Sequence, residues 1–382
     1  MNLRDYIAWR GDLTFDMIPF NHVDAAIFSQ LSMLQLEEVL IKDGRSLKMT
    51  IKEIVESLSD EIREKNYNLG FIIPDDIIKA FEEMAKTKRY QDLVIGNYVN
   101  LISKDEETQF SALTIDIDHN TRVVSFSGTD DTLIGWKENF NMVYMDTVSC
   151  QNLSVDYLEK VSRKARHLYV VGHSKGANLT LYTTLHSSSR VQRRLIEAIG
   201  FDGPGITEDI ELIHNFDKNI EKVTFYVPDD SIIGTIFDHY EKVKVVKSKA
   251  KGLLQHDLFS WEVTYNDFIY AEERTKESIH IENKLKEMIS KMDEHTKHSF
   301  VNEAYRILVN SKNETLTDIS KDKLMIAKNF LSIDAEKRSM FVKILKELAS
   351  DKIIRETIIN NIIQFSKNKT AKIKEQKQKS QK

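Results

Sequence analysis

Residues 168–178 run Leu-Tyr-Val-Val-Gly-His-Ser-Lys-Gly-Ala-Asn. An apolar, strand-type stretch feeds Gly172-His173-Ser174-Lys175-Gly176, and Ala177, Leu179, Leu181, Tyr182 and Leu185 suit a buried helix beyond it. A strand that stops abruptly, a serine on a sharp turn and a helix that leaves at once form a nucleophile elbow. The small residues two before and two after Ser174 let strand and helix approach closely. The backbone N–H of Lys175 is then free to bind a developing oxyanion. Ser174 is therefore the first candidate for covalent chemistry at a carbonyl.

A serine hydroxyl is a weak nucleophile near neutral pH and needs a histidine base, oriented by an acid. On an elbow of this type the chain order is Ser, then Asp or Glu, then His. Three acids lie just past strand-like runs: Asp202 in Gly200-Phe201-Asp202-Gly203-Pro204-Gly205, and Asp229 and Asp230 after Tyr226-Val227-Pro228. Asp-Gly-Pro-Gly is a strong turn signal, which offers Asp202 a purely local role, and the same holds for Asp229. Asp230 is the preferred acid, with Asp202 and Asp229 as alternatives. His256, in a glycine-containing loop, is the preferred base, with His239 and the histidines of the C-terminal helical region as alternatives. A second oxyanion donor belongs on a loop after an early strand. Val123-Val124-Ser125-Phe126-Ser127-Gly128-Thr129 supplies one, with Thr129 offering its N–H and hydroxyl and Gly128 permitting close approach.

The elements that must position these groups alternate in type. Residues 1–100 read as mostly helical, with apolar spacing over 23–40, a capping box at Thr50-Ile51-Lys52-Glu53, and a helix opened by Pro74. Strands are expected over 108–117 and 121–127, joined by an Asp118-His119-Asn120 turn, then at 168–171, 198–201, 222–227 and 242–246. Helices fall at 134–142, 155–165 and 177–186. The expected class is α/β, an α/β-hydrolase fold with a mainly parallel central sheet, a helical N-terminal segment and a helical C-terminal extension. Strand patterns end near residue 265. The expected units are a hydrolase domain over 1–265, a helical region over 266–366 and a basic, disordered tail over 367–382. Phe341, Ile344, Leu345 and Leu348 form one helical stripe, and Ile354, Ile358, Ile362 and Phe365 another.

Composition fits a globular chain of 382 residues, with 41% hydrophobic and 30% charged residues and a formal net charge of −5. The single cysteine, Cys150, excludes an intrachain disulfide and fits a reducing compartment. With neither a secretory signal nor a run of 18 apolar residues, a cytoplasmic protein is expected. The expected partner is a small-molecule or acyl-ester substrate rather than nucleic acid, with no metal or other cofactor required. The basic tail adds contact with an anionic membrane surface as a secondary expectation.

Over roughly residues 105–265 the chain resembles the class-three lipases of the α/β-hydrolase group. The resemblance rests on Phe126-Ser127-Gly128-Thr129 followed by Trp136, the Gly172–Gly176 elbow, Gly203-Pro204-Gly205, Asp230 before Ser231-Ile232-Ile233, and His256 before Trp261. The whole chain also resembles a bacterial lipase-like family, through Asp5-Tyr6, Trp9-Arg10-Gly11-Asp12, Pro19-Phe20-Asn21 and Val23-Asp24. The resemblance implies Ser174 as nucleophile, Asp230 as acid, His256 as base, and Thr129 with Lys175 as oxyanion hole. It departs from the lipase pattern at Ser127, where arginine is common, and at Lys175, where a small or apolar residue is common. The function expected is a serine hydrolase acting on an ester or thioester. The rivals are a binding or scaffold module on the same fold, and an acyltransferase.

Overall fold

Near-continuous apolar runs are the mark of strands covered on both faces, and this chain builds its centre from them. The computed structural model describes residues 1–70, 73–309, 314–319 and 323–357. Eight strands form one sheet: β1 (Met49–Thr50), β2 (Val94–Ser103), β3 (Thr108–Asp116), β4 (Thr121–Phe126), β5 (His167–His173), β6 (Leu195–Phe201), β7 (Val223–Pro228) and β8 (Lys242–Val246). Their order across the sheet follows their order in the chain. Strands β4 to β8 run parallel, whereas β1 to β4 pair antiparallel, so the sheet is mixed. With its flanking helices it is an α/β-hydrolase-like fold.

Side-chain alternation sorts the two faces. Val123, Val171, Ile199 and Tyr226 join a core with helices α1 (Leu3–Arg10), α2 (His22–Leu31) and α3 (Asp76–Met84). Their neighbours Val124, Val170, Ala198 and Phe225 turn the other way. They meet Leu158 of α5 (Ser149–Val161) and Leu179 and Leu185 of α6 (Lys175–His186). Between β4 and α5 lies α4 (Leu133–Asn141), capped by the Thr132 hydroxyl.

Three sequence expectations change. The 23–40 helix stops at Leu31, and only a short turn of helix, Glu37–Leu40, follows. The helix expected at Pro74 begins at Asp76. Within the supposedly helical first 100 residues, β2 is a ten-residue strand. Its pattern is broken by a register shift between Gly96 and Val99, where Asn97 takes φ 52°. Gly-Asn reads as a turn, but here it is a β-bulge inside a strand.

Beyond a hairpin of Val263–Thr264 and Asp267–Phe268 the chain is helical: α7 (Lys276–Ser290), α8 (Glu294–Leu308), α9 (Lys323–Ser332) and α10 (Ala335–Ser350). Phe341 and Ile344 are buried in this region, but Leu345 is exposed. Ile358, Ile362, Phe365, the 367–382 tail and the side chain of Leu348 lie outside the described residues.

Candidate active site

The elbow is built from two close approaches. Strand β5 ends at His173, α6 begins at Lys175, and Ser174 between them takes φ 57° and ψ −126°. A non-glycine residue held at positive φ is a strained one. A Cβ on Gly172 would lie 2.1 Å from the Gly176 carbonyl oxygen, and one on Gly176 would lie 2.2 Å from the Phe126 oxygen. Both positions therefore exclude any side chain, and the strain at Ser174 is held by packing on either side.

The histidine beside this elbow is His256, at the end of a short 3-10 turn, Gly252–His256. Its Nδ1 lies 2.7 Å from Oδ2 of Asp202. The other carboxylate oxygen of Asp202 accepts bonds from the Ser231 hydroxyl, at 2.5 Å, and the Gly234 N–H, at 3.1 Å. Asp202 is buried, and both of its oxygens are thus engaged. A carboxylate on Nδ1 selects the tautomer with its proton there and leaves Nε2 as the acceptor. Nε2 of His256 has no hydrogen-bond partner among the described residues.

Asp230, expected to be this acid, is elsewhere. One oxygen accepts from the Thr275 hydroxyl at 2.9 Å and the other from the Gly252 N–H at 2.7 Å. Its backbone N–H donates to the Gln255 side chain, whose Nε2 donates to Asp229 at 2.9 Å. Asp229 and Asp230 therefore hold the loop that carries His256, and Asp202 faces the imidazole itself. The rival base His239 bonds Glu241 and packs on Phe225.

Register explains why Asp202 wins. His173 pairs with Phe201 across parallel strands, so Ser174 and Asp202 leave adjacent strands at one level. Both residues take positive φ there, 57° and 43°. The turn signal at Asp202 was real, and the turn aims the carboxylate. A sequence trace of this exists: Gly172-His173-Ser174 and Gly200-Phe201-Asp202 share the offset from strand glycine to functional residue.

On the other side of the elbow, Gly128 follows β4. A Cβ there would sit 3.4 Å from the Ser174 Cβ. The next residue, Thr129, accepts a bond from Asn139 of α4 at 2.6 Å, which leaves its hydroxyl hydrogen available. Ser127, the other departure from the lipase pattern, turns its hydroxyl to the Gly128 carbonyl at 2.9 Å.

Lys175 points inward. Its Nζ donates to the carbonyl and the side chain of Gln109, both at 2.5 Å, and to Glu138 at 3.0 Å. Burial favours the neutral amine, but the Glu138 carboxylate, together with Cys150 and Asp130, outweighs it and raises the Lys175 pKa. The anion that this lysine answers is an interior one, Glu138. As the first residue of α6, Lys175 carries one of the helix amides that lack an intrahelical partner.

No group of three or more His, Cys, Asp or Glu side chains able to hold a metal occurs among the described residues. Nor is any helix among them long and apolar enough to cross a membrane.

Comparison with known proteins gives one family. The model described as Mbeg1-like matches residues 84–306, more than half of the chain. Among solved structures, one described as "Crystal structure of M37 lipase" aligns at 16% identity and a TM-score of 0.32. That alignment covers 55% of this chain and 67% of the other. No curated protein matches the sequence.

Proposed function

The chain belongs to the Mbeg1-like family and has an α/β-hydrolase-like fold, and we propose that it is a serine hydrolase cleaving a carboxylic ester or thioester. The observation that carries this reading is the Asp202–His256 hydrogen bond of 2.7 Å beside a serine held at positive φ on an elbow. In the proposed reaction the Ser174 Oγ attacks the substrate carbonyl carbon, and His256 Nε2 takes the hydroxyl proton. Asp202, in the role expected of Asp230, stabilises the imidazolium that forms. The negative charge on the carbonyl oxygen is met by the Lys175 N–H, aided by the N-terminus of α6, and by Thr129. His256 then returns the proton to the departing alcohol or thiol, and an acyl-enzyme remains. Water, deprotonated by the same imidazole, releases the acid.

The proposed organisation keeps residues 1–265 as the hydrolase unit and 266–366 as a helical region. A cytoplasmic setting is proposed from the single, buried thiol of Cys150. The test is labelling with a fluorophosphonate probe. Wild type should label at Ser174, and Ser174→Ala should not. Equal labelling of the two would sink the reading. A folded wild type that does not label would instead favour a binding module on a hydrolase fold.

A further inference from the structure

His173 lies next to the proposed nucleophile and has no part in the reaction just described. Its Nε2 lies 2.8 Å from the main-chain carbonyl oxygen of His256, and its ring centroid is 4.4 Å from that of His256, tilted by 37°. A carbonyl only accepts, so His173 must carry its proton on Nε2 and donate it.

We propose that His173 is a positioning residue, which pins the backbone of His256 so that the imidazole meets both Ser174 and Asp202. This inference rests on the serine hydrolase reading. Asp202 fixes one atom of the imidazole, Nδ1, and a ring held at one atom still swings with the loop beneath it. Besides the bond from the Gly252 N–H to Asp230, the loop has further anchors. Trp261 Nε1 donates to the Gln255 carbonyl at 2.7 Å, the Gln255 side chain bridges Asp229 and the Asp230 N–H, and His173 holds the His256 carbonyl. Only the last comes from the elbow itself. It ties the base to the residue adjoining the nucleophile, so the two move together. Misplacement by about 1 Å costs on the order of 100-fold in rate.

Electrostatics fits the same role. Burial, and then the neighbouring His256, hold the His173 pKa well below that of a free imidazole. A neutral ring keeps the Nε2–H as donor and adds no like charge beside His256 when it takes up a proton.

Gln and Asn separate donation from bulk, because a Gln amide reaches about as far as a His Nε2, whereas an Asn amide stops one methylene short. The measurement is the rate of fluorophosphonate labelling, with kcat and KM on a short p-nitrophenyl ester, for His173→Gln, His173→Asn and His173→Phe. Melting temperatures report folding. The Asn and Phe variants should label roughly 10- to 100-fold more slowly, with the loss in kcat and not KM. The Gln variant should recover most of the rate. Asn and Phe variants as fast as wild type, or a Gln variant no faster than Asn, would overturn the inference while leaving the hydrolase reading intact. If Phe does not fold, the Gln and Asn pair still decides. A wild type that fails to label defeats the hydrolase reading, and this inference with it.

Discussion

Asp202 and Asp230 are both aspartates at the end of a parallel strand, yet their surroundings assign them different work. Asp202 has one oxygen on His256 and the other on Ser231 and Gly234. Asp230 joins the Gly252 loop to Thr275, the N-cap of α7. On the proposed mechanism, Asp202→Asn should lower kcat roughly 10⁴-fold, because an amide no longer selects the right imidazole tautomer. Asp230→Asn should retain most of kcat and instead lower stability by about 1.5–3 kcal/mol, the worth of a hydrogen bond to a charged group. Ester kinetics and urea unfolding on both variants check the pair, and a larger kcat loss for Asp230→Asn would reverse the assignment.

At the scale of elements, the first turn of α6 is locked from behind. The Lys175 side chain crosses to Gln109 of β3 and Glu138 of α4, while its N–H is the proposed oxyanion donor. Lys175 and Glu138 are each about 1% exposed at the side chain, so this is an ion pair deep in the protein. Removing one partner strands the other charge. Lys175→Met should destabilise the fold by about 3–5 kcal/mol, and adding Glu138→Gln should return much of that. Glu138 also accepts from the Gln109 and Cys150 amides, so the double variant falls short of full recovery. Denaturant unfolding of the two variants tests this. The elements themselves were largely legible: β4 to β7 and α6 follow from apolar runs and the elbow. Strand β2 was not, because Gly96-Asn97 is a turn signal unless a partner strand is present to make it a bulge.

Across the whole molecule, the C-terminal region reaches the loop that carries Thr129, the proposed second oxyanion donor. Leu133 donates to the Glu314 carbonyl and Leu316 to the Asp131 carbonyl, both at 2.9 Å, around an antiparallel bridge between Thr132 and Thr315. Leu133 and Ile319 bury together beside Tyr305 and Leu316. A segment some 180 residues downstream thus clamps the loop that leads from Thr129 into α4. Leu316→Pro removes the donating N–H. It should speed hydrogen exchange at the Leu133 amide and slow Ser174 labelling. Unchanged protection at Leu133 would show that the bridge does not hold this loop.

The sequence alone determined the elbow, because a strand, a turn and a helix within eleven residues are local events and leave a local signature. It also determined the alternating elements and the apolar faces, since these depend on spacing along one segment. The tertiary structure decided what depends on register and packing. It chose Asp202 over Asp230 as the acid beside His256, turned Lys175 inward to Glu138, and brought His173 beneath the His256 backbone. Three aspartates past strand ends satisfy the same turn rules, and the glycine offset that Asp202 shares with Ser174 gains its meaning only once the two strands pair. Which one meets an imidazole 54, 27 or 26 residues later is set by the level at which neighbouring strands pair, and that is a property of the assembled sheet.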